Sequence, residues 1–209
     1  MNTKQKKGLL LVISGPSGTG KGSMCQKLLQ DDSVKYSISA TTRSPRGQEQ
    51  NGREYFFLTK EEFEQRIKNN GFLEWAQVYD RYYGTPRDFV EETLESGCDC
   101  ILEIDVQGAL KVKEAMPEAV LIFILPPSLK ELHRRIKERA TESEEQIQMR
   151  MSWVLGEIDQ IAKYDYAVIN DCLDEAVEEV RRIRHSEKCR VSRLGDLTKI
   201  YHDEDERGF

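Results

Sequence analysis

The sequence predicts an α/β protein, three layers deep, in which a doubly wound parallel sheet carries helices on both faces. Three observations lead there. Short apolar runs rich in branched residues, Leu9 to Ile13, Cys100 to Ile104, Val120 to Leu125 and Tyr166 to Ile169, are each followed by a charged segment with helical spacing. Such alternation calls for right-handed crossovers between parallel strands. The first run ends in Gly15-Pro16-Ser17-Gly18-Thr19-Gly20-Lys21, a glycine loop that opens a helix. Finally, 209 residues, 38% apolar and 33% charged, suffice for one medium domain or two small ones with a substantial core.

Taken in order, Leu9 to Ile13 reads as a strand and Lys21 to Gln30 as a helix. The loop between them matches GxxxxGK, whose glycines let backbone N–H groups face inward around phosphate oxygens at a helix N-terminus. Lys21 adds a point charge between the β and γ phosphates. The bare pattern also describes a ligand-free glycine turn; its position between strand and helix is what points to a nucleotide. Gly22 and Ser23 follow, so the hydroxyl usually found directly after the lysine is displaced by one position. Ser23 is the candidate Mg²⁺ ligand, and GKG followed by Ser is familiar from nucleoside monophosphate kinases rather than GTPase switches.

Between Tyr36 and Tyr83 the texture changes to short segments rich in Tyr, Phe, Thr and Arg, with Asn51-Gly52 as a hairpin-type turn, which suggests a small mixed, β-rich insertion. From Ser128 to Lys163 the pattern is helical, broken near residues 139–143. Ser143 and Gln146 have capping-box spacing, so two helices joined by a polar turn are expected. Leu173 to His185 reads as a last amphipathic helix, and the residues beyond it as a mobile tail.

Composition excludes several classes of function. A net charge of −6 gives no reason to expect a long nucleic-acid footprint, although a local basic patch around phosphates is compatible with it. The longest apolar run, Gly8 to Ile13, falls far short of the ~20 residues of a membrane span. Cys25, Cys98, Cys100, Cys172 and Cys189 form an odd set without a CxxC pair, and no signal peptide precedes them, so a cytoplasmic location is expected. Cys98 and Cys100 read as ordinary residues at a strand's edge rather than metal ligands.

Five blocks together resemble the guanylate kinase family, nearly from Leu9 to His185. They are the loop GPSGTGKGS; Ser39-Ala40-Thr41-Thr42-Arg43-Ser44-Pro45-Arg46; Gly52-Arg53-Glu54-Tyr55-Phe56-Phe57; Phe72-Leu73-Glu74-Trp75-Ala76 continuing to Tyr82-Tyr83-Gly84-Thr85-Pro86; and Ile101 to Gly108. The resemblance implies a P-loop fold with a GMP-binding insertion at 36–85 and a helical lid at about 131–159, set on a core of 8–35, 86–130 and 160–186, with a tail at 187–209. It implies that Arg43, Arg46, Tyr55 and Tyr83 hold the GMP phosphate, for which paired guanidinium donors suit a dianion. Glu74 would accept from guanine N1–H and the 2-amino group, with Ser39 and Thr85 at the base. Adenine presents an acceptor at N1, so AMP would leave Glu74 unpaired. Asp105, at a strand's carboxyl end, is assigned to GMP first.

In the family, the lid arginines correspond to Arg135, Arg139 and Arg150, and Asn170 to a contact with adenine. ATP would be held by Gly15, Pro16, Ser17, Gly18, Thr19, Gly20, Lys21, Gly22, Ser23 and Asn170. Taken singly, the arginines would be solvated helix charges and the tyrosines packing residues. Their joint order with the phosphate loop reverses that reading. The expected activity is transfer of a phosphoryl group from ATP to GMP, and to dGMP, with Mg²⁺. Lys21, Arg135, Arg139 and Arg150 would act as electrostatic catalysts, without a general base. The expected partners are these small nucleotides, with no nucleic acid and no membrane; oligomeric state stays open. The rivals are a non-catalytic guanylate kinase-like binding module and a ribose-phosphate kinase of the same fold; a GTPase switch lacks its NKxD segment. Two features depart from the family pattern: Ala40 stands where some relatives have Ser, and the chain after His185 extends past the usual helical end.

Overall fold

The computed structural model describes residues 7–139, 144–194, 198 and 202. Its first strand, β1 (Leu10–Ser14), is buried along its whole length because both faces of the sheet are covered. The elements then run α1 (Lys21–Leu28), β2 (Val34–Tyr36), β3 (Ala40–Thr41), β4 (Phe56–Phe57), α2 (Lys60–Lys68), β5 (Phe72–Val78), β6 (Arg81–Pro86), α3 (Arg87–Glu95) and β7 (Asp99–Glu103). They continue with α4 (Val106–Ala115), β8 (Val120–Leu125), α5 (Leu129–Arg139), α6 (Glu144–Ile158), β9 (Tyr166–Ile169) and α7 (Leu173–Lys188), with single 3-10 turns at Ile161–Lys163 and Val191–Arg193.

Strands β2-β7-β1-β8-β9 form one parallel sheet in that order. Alternate side chains of β1 leave by opposite faces, and each meets a different pair of helices. Leu9, Leu11 and Ile13 pack with Met24 and Leu28 of α1 and Val177 and Val180 of α7. Leu10 and Val12 pack with Val90 and Leu94 of α3 and Ala109 and Val112 of α4. This is the doubly wound α/β architecture the sequence predicts. β2 had no clear signal: three residues are too few to show a period, and it pairs on one side only, with β7.

The insertion is a second sheet, ordered β4-β3-β6-β5 and covered by α2. Its own core stacks Phe63 of α2 on Phe72 and Tyr82, with centroids at 4.3 and 5.2 Å. α2 is nucleated by a capping box, Thr59 with Glu62. Asn51-Gly52 is a turn but joins no hairpin: β4 runs parallel to β3, and the antiparallel hairpin is β5–β6, turned at Tyr79 with φ 57°. The correction has a simple origin, since both turns satisfy the same local chemistry and strand pairing selects one. Leu73 of β5 is buried in the main core, which seats the insertion on α4.

In the helical stretch, Leu132 and Ile136 of α5 pack on Ile147 and Val154 of α6. The Ser143 side of the expected capping box lies outside the described residues. α7 continues to Lys188, past the predicted end at His185. Glu187 is 2% exposed and accepts from the Tyr166 hydroxyl, while Arg193 donates to the Glu118 carbonyl at 2.7 Å. Up to Leu194 the segment is therefore attached to the core rather than free.

Candidate active site

β1 ends at Ser14, and the chain must turn sharply to begin α1. Gly15 does this with φ 129°, and a Cβ there would sit 2.4 Å from the Ile124 carbonyl oxygen of the neighbouring strand. Gly20, the N-cap of α1, has φ 90°, and a Cβ would lie 2.4 Å from Asn170 Nδ2. Neither position admits a side chain. No acid sits in the first turn of α1 and no side chain caps it, so its leading amides stay open to an anion.

Lys21 Nζ donates to the carbonyls of Gly15 at 2.6 Å and Pro16 at 2.9 Å, spanning the loop it closes. Burial lowers its pKa, while Glu103 and Glu157 nearby oppose that shift. Thr19 turns its hydroxyl inward to the Pro16 carbonyl at 2.9 Å, so this side chain braces the loop. The Asn170 side chain donates to the Thr19 carbonyl at 2.7 Å. Gly18, Gly20, Ser23, Arg135, Glu138, Asn170 and Asp171 line a cavity of about 270 Å³ beside the loop. Four of the predicted ATP residues thus meet there, with one of the predicted catalytic arginines.

Two of the three predicted lid arginines can be placed, Arg135 at the cavity and Arg150 at the phosphate loop. Arg135 Nη1 donates to the Asn170 carbonyl at 3.0 Å and its Nε to Glu131 at 2.8 Å. Arg150 Nη1 approaches the Ser17 hydroxyl at 3.4 Å from α6. Arg139 ends α5, and its side chain lies outside the described residues.

Within the insertion, Glu74 and Thr85 meet at one place, and Arg43, Tyr55 and Tyr83 at another. Glu74 and Thr85 face each other across the β5–β6 ladder, and the Thr85 hydroxyl donates to Glu74 Oε1 at 2.7 Å. Burial raises the Glu74 pKa; the Thr85 hydrogen bond pulls it back, and Asp105 adds a smaller upward push. Ser39 is partly buried at the entry to β3. Asp105 serves as N-cap of α4, accepting from the Gly108 N–H at 2.7 Å, a structural duty that its place before an apolar helix could have disclosed.

Arg43 and the two tyrosines form one cluster. The Arg43 guanidinium lies 5.2 Å from the Tyr55 ring centroid, and Tyr55 meets Tyr83 edge-on at 6.1 Å. Arg46 is exposed at the cluster's edge. Sequence reasoning missed Glu49, which grips Arg43 through both carboxylate oxygens at 2.7 and 3.0 Å. That pairing holds the Glu49 pKa down at about 2. It also missed Glu157 near Lys21, and Glu103, which falls inside the Ile101 to Gly108 block without being singled out.

Among the described residues no group of three His, Cys, Asp or Glu side chains could hold a metal. Mg²⁺ that arrives with a nucleotide keeps several waters and takes phosphate oxygens, so few protein oxygens would be required of the site. Ser23, exposed in the first turn of α1 and at the cavity, is the hydroxyl available to it.

A family model described as guanylate kinase matches residues 7–187. The chain is 57% identical to the guanylate kinase of Caldanaerobacter subterraneus subsp. tengcongensis over 92% of this chain and 94% of that one. It is 54% identical to the guanylate kinase of Clostridium tetani, over 91% and 92%. A crystal structure of guanylate kinase from Anaplasma phagocytophilum superposes with a TM-score of 0.74 at 32% identity, covering 94% of each chain.

Proposed function

The chain belongs to the guanylate kinase family and transfers a phosphoryl group from ATP to GMP, and from that premise we propose which residues carry out the reaction. The observation that carries the assignment is the Glu74–Thr85 pair, a half-buried carboxylate that accepts the Thr85 hydroxyl at 2.7 Å across the β5–β6 ladder. Guanine offers two adjacent donors to such a carboxylate; adenine offers an acceptor and would leave the charge unpaired. Ser39, Thr85 and Asp105 complete the base end, and Arg43, Arg46, Tyr55 and Tyr83 the phosphate end.

ATP is held by Gly15 through Ser23, with Asn170 at the cavity. Ser23 would hold Mg²⁺ together with the phosphate oxygens of ATP, and the ion would supply charge neutralisation there. The nucleophile is a GMP phosphate oxygen, anionic at neutral pH, so proton removal is no part of the chemistry. Lys21, Arg135, Arg139 and Arg150 instead offset charge on the transferring group and keep donor and acceptor in line. At present Lys21 donates to carbonyls of its own loop, and phosphate oxygens would take over those hydrogen bonds. Closure of α5 and α6 would exclude water, limiting ATP hydrolysis. In this scheme dGMP is a substrate alongside GMP, since both present the same guanine edge and phosphate.

A binding module without catalysis would have no use for Lys21 and the lid arginines, and a ribose-phosphate kinase none for Glu74. No helix among the described residues is long and apolar enough to cross a membrane. A coupled ATP-consumption assay against GMP, dGMP, AMP and ribose bisphosphate tests the assignment. Turnover is expected with the two guanine nucleotides; turnover with AMP at a comparable rate would remove the role given to Glu74.

A further inference from the structure

Arg43 is buried, with its side chain 5% exposed, and is held from three directions. Glu49 takes its fork, the Ser44 carbonyl accepts from Nη1 at 2.8 Å, and the rings of Tyr55 and Phe57 lie beside it at 5.2 and 5.7 Å. Of the five N–H groups of a guanidinium, three are engaged by Glu49 and Ser44, which leaves two for Tyr83 and a ligand.

Glu49 does a second thing at the same time. The oxygen that accepts from Arg43 Nη1 also accepts the Arg46 main-chain N–H at 2.8 Å, and the Glu49 N–H returns to the Arg46 carbonyl at 3.0 Å. One carboxylate therefore joins the side chain of one arginine to the backbone turn that carries the other.

We propose that Glu49 is a positioning residue for GMP, aligning the Arg43 guanidinium and the Arg46 turn on the substrate phosphate without touching it. The inference rests on the reading that Arg43 and Arg46 bind that phosphate. An arginine ordered beforehand loses less rotamer freedom when the ligand arrives, so affinity is gained by preorganisation. A different role, with Glu49 as a stand-in that the phosphate expels, would require the Arg46 turn to open as well. The aromatic flank and the Ser44 contact hold Arg43 where it is.

The experiment is a set of steady-state measurements on Glu49→Gln, Arg43→Ala and the double variant, with thermal midpoints alongside. For Glu49→Gln the KM for GMP is expected to rise about tenfold, as suits loss of a bidentate charge-assisted pair, with KM for ATP within about twofold and kcat within about threefold of wild type. On the Arg43→Ala background the same change is expected to add much less, because its partner is gone. An unchanged or lowered GMP KM in Glu49→Gln overturns the proposal, as does a parallel rise of both KM values with a fallen thermal midpoint. Arg43→Ala with an unaltered GMP KM would defeat the underlying phosphate reading, an outcome distinct from failure of the Glu49 arm alone. Should Glu49→Gln not fold, Glu49→Asp keeps the charge while shortening its reach, and a GMP KM raised a few-fold is expected; an unaltered GMP KM there overturns the proposal too.

Discussion

The side-chain amide of Asn170 donates to the main-chain carbonyl of Thr19 at 2.7 Å, across 151 positions of sequence. The Asn170 carbonyl accepts from Arg135 and its N–H bonds to Leu125, so the end of β9 holds the phosphate loop and a lid arginine at one residue. Asn170→Ala would leave a buried carbonyl without its donor, at a cost of about 1–3 kcal/mol. KM for ATP should rise about tenfold while KM for GMP stays within about twofold. Initial rates with each nucleotide varied in turn check this; an equal rise in both would count against the strut.

Lys21 spans its own loop, and in the proposed assignment it offsets charge on the transferring group. Lys21→Ala is expected to lower kcat by about 10³-fold, in the range found when one preorganised electrostatic donor is removed, with the GMP dissociation constant little changed. Single-turnover rates and calorimetric GMP titration separate the two. Near-normal turnover would mean that the backbone amides suffice.

In the proposed assignment Glu74 must be ionised to accept from both guanine donors. Its pKa is raised by burial, so protonation sets in at higher pH than for an ordinary glutamate. kcat/KM for GMP should therefore fall on acidification through that raised pKa, and Glu74→Gln should flatten this limb while lowering kcat/KM about 10- to 100-fold, a loss of about 1.4–2.8 kcal/mol. The stability sign runs the other way. A carboxyl with a raised folded pKa favours the fold below its unfolded pKa and loses that contribution as pH rises through the folded value. The charge term gives Glu74→Gln no reason to melt earlier at neutral pH, which a thermal scan of the two proteins can check.

Away from the site, Asp99 is fully buried and pairs with Arg184 and Lys188 of α7, while also accepting the Leu9 N–H at 2.8 Å. Arg184 reaches on to Asp31 at 2.6 Å. Arg184→Met strips a partner from a buried carboxylate, for which a loss of about 3 kcal/mol is reasonable, since Lys188 remains. For a chain of this size that is a fall in melting temperature of about 6–12 °C. Activity at 25 °C should persist. A shift of under about 2 °C would show that Lys188 alone satisfies Asp99.

Much of this was legible in the linear sequence. The four main strands, the phosphate loop and the order of the motif blocks follow from short-range patterns, because strand burial and turn chemistry are written in neighbouring residues. Glu74, Thr85, Arg43 and Arg135 were nameable as candidates only through the resemblance of their blocks, in order, to the guanylate kinase family. The hairpin was not: Asn51-Gly52 and Tyr79-Asp80 both suit a turn, and only pairing of β5 with β6 decides between them. Nor was the length of α7, since the partners of Glu187 and Arg193 lie on Tyr166 and Glu118.

Sequence by itself determined the chemistry available to this protein: a lysine in a glycine loop, a carboxylate suited to guanine, and arginines for phosphate. Tertiary structure alone decided how those groups are held. Glu49 on Arg43, Asn170 under Thr19 and the acids around Lys21 are contacts whose pairing no motif predicts. Their effect depends on distance and burial, which set the strength of a charge or hydrogen bond and arise only when the chain has folded.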